Sequence, residues 1–514
     1  MDVVIAGGGL GGLTAGALLA KAGREVLLLE QHSKVGGAAT IFGRKQIKVE
    51  VGLHELDGMD NPGDPKRTLF ASLGLSLDVV RIPELYAVHS PLLGEPFVMP
   101  DGLDPARAAV LDRFPQARRG VEDWFNTLDR LYAAIQSLSA LQDLRGWRAG
   151  ATALRLAPQL AQLARHERTP LSWLLDRCAG DTPGLDLVLA ANLGYYHHDT
   201  GASLLYFAAA QGSYLHGGGH YIRGGSQALS DALAEVIRAG GGEVLTGAEV
   251  TGVLVEDGRA AGVRYLRQGQ EVEVRARAVI GNAAPAALAE LLPPDRREAF
   301  RAPWGAMRPG TSAWSVYLGF DEPPAAPAHY SSFYYPDWMS GLAAHGESRA
   351  LMGADPMGRL PSYVAVNYAR IDHGLPFRGL HLVVLTGLDL LAPWEALSQE
   401  AYQERKRRWL AALVEDFLRR NPSLRPHLVY QELGTARTMR RYLRTPAGAI
   451  YGFEQSPDQI GRFRPGARTA LPGLYLSSAW ASPGGGFTGA MMAGISAARA
   501  VTDEPKGQGP QGRR

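Results

Sequence analysis

Gly7-Gly8-Gly9-Leu10-Gly11-Gly12 and Glu30 are the residues whose types and spacing bear most directly on chemistry. The glycines follow an apolar run (Val3 to Ala6) and open an Ala/Leu-rich segment, so they sit between a strand and a helix. Gly7 permits the tight turn, Gly9 lets backbone approach a pyrophosphate, and Gly12 lets the helix pack on the strand. The helix start offers unpaired N–H groups and partial positive charge to the phosphates. Glu30 ends the next apolar run, Glu25-Val26-Leu27-Leu28-Leu29, where a carboxylate accepts from ribose hydroxyls. An acid there favours an unphosphorylated adenosine ribose, as in FAD or NAD, over NADP. A Gly-rich turn in an ordinary α/β protein leaves Glu30 unexplained.

A second glycine turn, Gly484-Gly485-Gly486-Phe487-Thr488-Gly489, satisfies the same fingerprint as a string. The chain reaches a polar tail before another strand and acid can follow, so this turn is not a second dinucleotide site. It retains a strand, a backbone-rich turn and a helix start. Two helix starts at opposite ends of the sequence suit one bipartite cofactor, one for the pyrophosphate and one for the reactive ring. FAD fits, because a helix start aimed at the N1–C2=O edge of an isoalloxazine stabilises the anionic reduced ring. The runs Gly217-Gly218-Gly219 and Gly240-Gly241-Gly242 fail the spacing, with Ile222 and Leu245 in the third glycine position. No separate NAD(P) site is read, so electrons are expected to pass to or from another partner.

The elements that must position these turns imply an α/β fold with a discontinuous Rossmann-like FAD-binding domain, an inserted mixed-sheet substrate domain and a helical cap. The expected spans are 1–80, 215–300 and 465–505 for the FAD-binding domain. Spans 81–104, 195–214 and 301–464 form the substrate domain, 105–194 the cap and 503–514 a disordered tail. Val250 to Val255 and Gly262 to Leu266, joined through Asp257-Gly258, read as a hairpin. Thr311 to Phe320, Ser362 to Tyr368 and Leu380 to Leu388 read as strands of a second sheet, and Ser398 to Arg419 as a long surface helix. A chain of 514 residues exceeds one ordinary core. Lys+Arg 53 against Asp+Glu 51 leaves a net charge of +2, which implies no nucleic-acid partner. Cys178 is the single cysteine, so neither a disulfide framework nor a Cys-based metal site is expected. That usage, and a first strand reached directly after Met1, imply a reducing, cytoplasmic setting. Without an apolar run of roughly 18 residues, no spanning helix is expected.

Taken together, Val3 to Glu30 with Gly36-Gly37, Tyr221 to Ser226, Val279 to Pro285 and Leu474 to Gly494 resemble the flavin-dependent phytoene desaturase, carotenoid isomerase and retinol saturase superfamily. The resemblance covers most of the chain and is weakest from about Pro105 to Leu193. It implies that Gly7, Gly9, Gly12 and Glu30 bind the ADP half, that Gly36 and Gly37 line the pyrophosphate, and that Val250 touches the adenine side. It also sets Gly485, Gly486 and Thr488 against the flavin ring. Related amine oxidases carry an acid in the terminal strand; Ser477-Ser478-Ala479-Trp480 replaces it here, as in the carotenoid branch.

Several residues keep two readings. His54 follows the first unit where the family brings chain near the flavin; it reads as a catalytic acid or base, or as a hydrogen-bonded structural histidine. His197-His198-Asp199 invites a metal reading, but adjacent side chains on a strand face opposite ways and no further ligand joins at close spacing, so no metal is expected. Arg437, Arg440, Arg441 and Tyr442 read as cofactor contacts or as a solvated basic face. Aromatics in Ala313 to Tyr317 and Phe333-Tyr334-Tyr335 read as core or as tunnel lining. As one helix, Leu144 to His166 sets Arg145, Arg148, Thr152, Arg155, Gln159, Gln162 and His166 opposite Trp147, Ala151, Leu154 and Ala161. Such a face suits a peripheral membrane contact, with Pro158 breaking the pattern. The expected activity is FAD-dependent desaturation of a carotenoid or related apolar polyene, with a quinone or oxygen as electron acceptor. A reduced-flavin isomerase, a polyene saturase, and a non-catalytic lipid carrier of the GDP-dissociation-inhibitor type are the alternatives.

Overall fold

The structure, a computed structural model, describes residues 1–44, 47–52, 54–142, 146–376 and 378–503, with the side chains of 139–149 excepted. Of the residues named above, Leu144, Arg145 and tail positions 504–514 lie outside the described residues, as do the side chains of Trp147 and Arg148.

Five parallel strands form the nucleotide-binding sheet in the order Glu243–Thr246, Val26–Glu30, Val3–Ala6, Ala278–Gly281, Leu474–Leu476. The strands Val3–Ala6 and Val26–Glu30 are buried on both faces, which is why they read as unbroken apolar runs. Strand order reverses beside Val3–Ala6, and the crevice at that switch point is where such sheets take ligands. Helix Leu10–Lys21 covers the sheet, wedged between helices Ser226–Ala239 and Gly486–Thr502. Glycine makes that wedge possible. A Cβ on Gly16 would lie 2.8 Å from Ile237 Cδ1, and one on Gly494 would lie 2.6 Å from the Gly11 carbonyl oxygen. The two ends of the chain are thus packed together through backbone.

The expected hairpin forms from Ala248–Glu256 and Arg259–Arg267, with positive φ at both Asp257 (49°) and Gly258 (75°). A third antiparallel strand, Gln270–Arg275, extends it unforeseen. The second sheet has seven strands in the order Leu428–Gly434, Ser312–Phe320, His381–Asp389, Tyr363–Asn367, Ser331–Tyr334, Glu84–His89, Phe97–Pro100. It is antiparallel except where Ser331–Tyr334 meets Glu84–His89. Helix Gln399–Arg420 buries Trp409, Leu413 and Phe417 against one face. Of the helices between Leu103 and Gly217, Leu193–Tyr196 and Leu204–Gly217 line the crevice. Trp124 meets Phe207 edge-on at 5.9 Å, and a Cβ on Gly212 would strike the Tyr132 ring at 2.5 Å.

Two expectations are corrected here. Residues 144–166 are not one helix: Gly146–Arg155 and Ala157–His166 are separate, because Pro158 has no N–H to donate and sits in the first turn of the second. Ala151, Leu154 and Ala161 are exposed, so they do not form a face packed on the protein itself, while Leu163 is buried. His197 and His198 are not on a strand. They follow the short helix Leu193–Tyr196, and their rings lie 4.5 Å apart with 17° between planes, so the argument that sent them to opposite faces fails.

Replacing Gly494 by Leu inserts a side chain where only backbone fits. Overpacking of this kind costs about 1–3 kcal/mol. A lower thermal midpoint with weakened flavin retention is the expected result, and a midpoint equal to wild type would contradict the wedge.

Candidate active site

A cavity of about 670 Å³ opens at the switch point and runs between the two sheets. Its first wall is the opening glycine turn. Gly7 has φ 109°, a region L side chains avoid, and its N–H donates to the Leu29 carbonyl at 2.8 Å. Gly9 precedes the helix, and among the described residues no side chain caps it. The first-turn N–H groups therefore face the cavity with the positive end of the helix behind them. Gly12 lies beneath the turn, where a Cβ would come within 2.4 Å of the Gly7 carbonyl oxygen. Glu30 is buried, its Oε2 accepting from Gly8 N–H at 2.7 Å and its Oε1 from His32 N–H at 2.8 Å. Gly36 N–H donates to the Gly8 carbonyl at 2.7 Å, bringing Gly36 and Gly37 onto the same wall.

The second wall comes from the other end of the chain. Gly484 has φ 122°, and the buried Arg464 guanidinium occupies the space a Cβ would need. Arg464 donates to the Gln455 side chain at 2.9 Å and to the Pro483 carbonyl at 3.4 Å, holding the turn. Gly485 starts helix Gly486–Thr502, again with no side-chain cap among the described residues. Thr488 Oγ1 donates to Asp57 Oδ1 at 3.0 Å. Asp57 and Asp64 flank Lys66 Nζ at 3.4 and 2.9 Å, and Lys66 is fully buried. Burial is the largest influence on Asp57 and opposes its charge, but the Lys66 ammonium together with hydrogen bonds from Ser213 and Thr488 outweighs it and holds the carboxyl below its usual range. A charged pair deep in the molecule thus anchors the turn that carries Thr488.

Both walls belong to one cavity. Gly7, Gly9, Glu30, Gly36, Gly37, Val250, Gly485, Gly486, Thr488 and His54 line it; Gly12 sits behind the first turn. A Cβ on Gly11 would lie 2.2 Å from the Ser477 carbonyl oxygen, so the first turn packs against the backbone that leaves strand Leu474–Leu476. Two uncapped helix starts, side-chain-free turns and a buried acid fit a dinucleotide whose ring end lies away from its phosphates. Sequence reasoning missed Asn282, whose Nδ2 donates to the Gly7 carbonyl at 3.2 Å and braces the first turn.

Beyond the turns the walls become aromatic. Tyr195 meets Phe333 edge-on at 5.6 Å, and Tyr196 meets Tyr206 at 5.8 Å. Strand alternation divides the aromatics singled out in the sequence. Phe333 and Tyr335 face the cavity, whereas Trp314 and Tyr334 enter the core beneath helix Gln399–Arg420, and Tyr317 packs on Phe42. In helix Ala436–Leu443, Tyr442 stands at the cavity mouth and Arg437 stacks on Tyr402 at 4.6 Å; Arg440 and Arg441 are exposed.

His54 lies 5.5 Å from the Tyr195 ring, and burial pushes its pKa down to about 4, so the imidazole is neutral at pH 7. Its neighbour Glu55, not singled out in the sequence, is the stronger acid-base group. It faces the cavity from deep in the molecule, and Ser331 Oγ donates to it at 2.5 Å. Burial pushes its carboxyl up to about 8, with Glu84, Asp57 and Asp101 adding to the shift and the Ser331 bond opposing it. The available signal was an acid directly after His54.

A family model described as "Flavin containing amine oxidoreductase" matches residues 10–502. Human all-trans-retinol 13,14-reductase is 25% identical over 93% of this chain and 82% of its own. The chloroplastic prolycopene isomerase of Daucus carota is 24% identical over 97% and 80%. Among solved structures, putrescine oxidase bound to putrescine superposes with a TM-score of 0.60 at 18% identity, covering 98% of each chain. An oxidoreductase from Methanosarcina mazei gives 0.58 at 19% identity, covering 98% and 100%.

Because Glu55 holds its proton from its ordinary 4.5 to about 8 in the folded protein, the native state binds more protons than the unfolded chain across that window, and stability falls as pH rises through it. Glu55→Gln is expected to flatten the decline in thermal midpoint between about pH 5 and pH 8. Parallel curves for variant and wild type would contradict a neutral Glu55.

Proposed function

Because the chain belongs to the flavin containing amine oxidoreductase family and its cofactor is FAD, we propose that it exchanges hydrogen with the C=C or CH–CH bonds of an apolar isoprenoid polyene, a carotenoid or retinoid. The observation that carries this reading is Glu55, a carboxyl that keeps its proton to about pH 8 on the wall of an aromatic cavity beside a neutral His54. The names of the two relatives, a retinol reductase and a prolycopene isomerase, support a polyene substrate.

Gly7, Gly9, Gly12 and Glu30 would hold the ADP half of FAD, Gly36 and Gly37 the pyrophosphate, Val250 the adenine side, and Gly485, Gly486 and Thr488 the ring. The flavin, when bound, supplies hydride chemistry at a substrate carbon. The chain's own part is to place the polyene between Tyr195, Tyr196 and Phe333, to exclude water, and to move one proton. With Ser331 fixing its carboxyl, Glu55 is poised to donate that proton at neutral pH. A neutral acid suits proton addition, so the direction we propose is saturation of a C=C bond, a two-electron reduction that draws its electrons from an external donor. Desaturation, the direction expected from the sequence, needs a base at this position and an electron acceptor such as a quinone or oxygen. In this reading 1–80, 215–300 and 465–505 form the FAD-binding domain, 81–104, 195–214 and 301–464 the substrate domain, and 105–194 the cap.

An anaerobic half-reaction separates the directions. Chemically reduced enzyme mixed with retinol or a carotenoid should regain the oxidised-flavin spectrum and yield a product with one double bond fewer. Bleaching of the oxidised flavin by phytoene or ζ-carotene would instead establish desaturation, and a changed double-bond geometry without electron transfer would establish isomerisation. Glu55→Gln should slow turnover by roughly 10²–10⁴-fold with the flavin spectrum intact; an unaltered kcat would remove Glu55 from the proton path.

Among the described residues no helix is long and apolar enough to cross a membrane. Leu154, on helix Gly146–Arg155 with Arg155 beside it, is nonetheless 78% exposed. We propose that this helix meets a membrane surface from which an insoluble polyene is drawn. Leu154→Asp should reduce co-sedimentation with anionic vesicles while leaving the flavin spectrum unchanged, and equal sedimentation would dismiss the contact.

A further inference from the structure

One stretch of the aromatic cavity's wall is polar, and neither the cofactor turns nor Glu55 uses it. Helix His345–Ala350 contributes His345, Ser348 and Arg349 to this stretch; His345 and Arg349, four residues apart, share one helix face. The His345 ring meets the Tyr335 ring edge-on at 5.8 Å, so the three side chains form one group. Tyr335 is 1% and His345 5% exposed. Among the described residues the Tyr335 hydroxyl, His345 Nε2 and Arg349 Nε are buried without a hydrogen-bond partner. Groups withdrawn from water in this way gain from a ligand that meets them.

Arg349 supplies the charge of this group. Burial pushes His345 down to about 4, so its ring is neutral at pH 7. The carboxylates that favour a charged Arg349, Glu454 and Asp199, are engaged elsewhere: Glu454 Oε2 accepts from Arg308 Nε at 2.7 Å, and Asp199 Oδ2 lies 3.0 Å from His198 Nε2. Burial outweighs their attraction, and among the described residues no carboxylate pairs directly with the Arg349 guanidinium. A cation held partly out of water without a direct counter-ion favours an anionic ligand. Beside it, Ser348 and Ser362 have their hydroxyls 3.0 Å apart, and Ser348 Oγ also accepts from Ser362 N–H at 2.8 Å. Whichever hydroxyl donates to the other, one O–H is left over.

We propose that Arg349, Tyr335 and His345 form a carboxylate pocket, and that the substrate is an isoprenoid polyene acid whose carboxylate sits there. The inference rests on the polyene reading above and narrows it. A guanidinium presents its N–H groups in a fork that matches the two oxygens of a carboxylate, and the Tyr335 hydroxyl and the spare serine O–H add neutral donors. An alcohol offers these groups one uncharged oxygen. A hydrocarbon offers nothing, and would press apolar surface against a guanidinium and a phenol that had lost their water.

The pocket also fixes how the substrate lies. Strand Ser331–Tyr334 runs on into Tyr335, whose N–H donates to the His89 carbonyl at 2.9 Å, so Ser331, Phe333 and Tyr335 fall on one side of it. Ser331 holds Glu55 at one end of that row, and Tyr335 stands at the other. Four residues of extended chain span about 13 Å. The carboxylate pocket and the proton donor therefore address different parts of the polyene, with Phe333 between them.

The test titrates flavin-loaded full-length protein with retinoate, retinol, the corresponding hydrocarbon without the hydroxyl, and palmitate, reading binding from the visible flavin band. Retinoate should bind roughly 10–100-fold more tightly than retinol. Arg349→Met should erase that preference while leaving affinity for the hydrocarbon unchanged, Arg349→Lys should keep part of it, and Tyr335→Phe should lessen it. The flavin spectrum and thermal midpoint report whether each variant folds, and the wild-type comparison stands without them. Retinol bound as tightly as retinoate, or a folded Arg349→Met with the wild-type preference, would overturn the pocket and leave the polyene reading intact. Tight binding of palmitate with none of the three polyenes would overturn the polyene reading and keep the pocket; binding of none of the four would overturn the pocket.

Discussion

Two helices begin on one cavity, and among the described residues neither start is capped by a side chain. Buried N–H groups left without partners cost roughly 1–3 kcal/mol each. A protein that buries two such starts needs a ligand rich in acceptors, and FAD carries them on both its pyrophosphate and its ring edge. Backbone contact requires glycine at the junction, since a Cβ on Gly11 would meet the Ser477 carbonyl oxygen at 2.2 Å. The cofactor is therefore part of how this fold satisfies its own backbone as well as the source of its chemistry.

The remaining architecture protects that junction. Arg464 lies under Gly484, Asn282 braces Gly7, and the Asp57–Lys66–Asp64 group pins Thr488. Asn282 and Gly7, and Thr488 and Asp57, come from distant parts of the chain, and removing a carboxylate from the fully buried Lys66 would strand its charge without solvent. The same low-dielectric interior keeps Glu55 protonated and His54 neutral. Binding and acid-base behaviour thus share one physical cause, the exclusion of water from the space between the two sheets.

Much of this was legible from local pattern. The strands at Val3–Ala6 and Val26–Glu30 declared themselves because a parallel strand buried on both faces must be apolar throughout. The Asp257-Gly258 turn was readable because both residues take positive φ. Strands Glu84–His89, Phe97–Pro100 and Leu428–Gly434 were not read, since short strands carry little periodic signal and gain their identity from the neighbours they pair with. His197 and His198 were misjudged for a related reason: alternation holds only on a strand, and a turn after Tyr196 placed both rings together.

The amino-acid sequence by itself determined the nucleotide-binding turns, the acid at Glu30 and the resemblance to flavin-dependent polyene enzymes, because each rests on residues adjacent in the chain. Tertiary structure alone decided that the two glycine turns share one cavity, that burial holds Glu55 protonated and His54 neutral on its wall, and that Glu454 faces two histidines. Those properties depend on burial and on distances between residues far apart in sequence, and neither is encoded in local spacing.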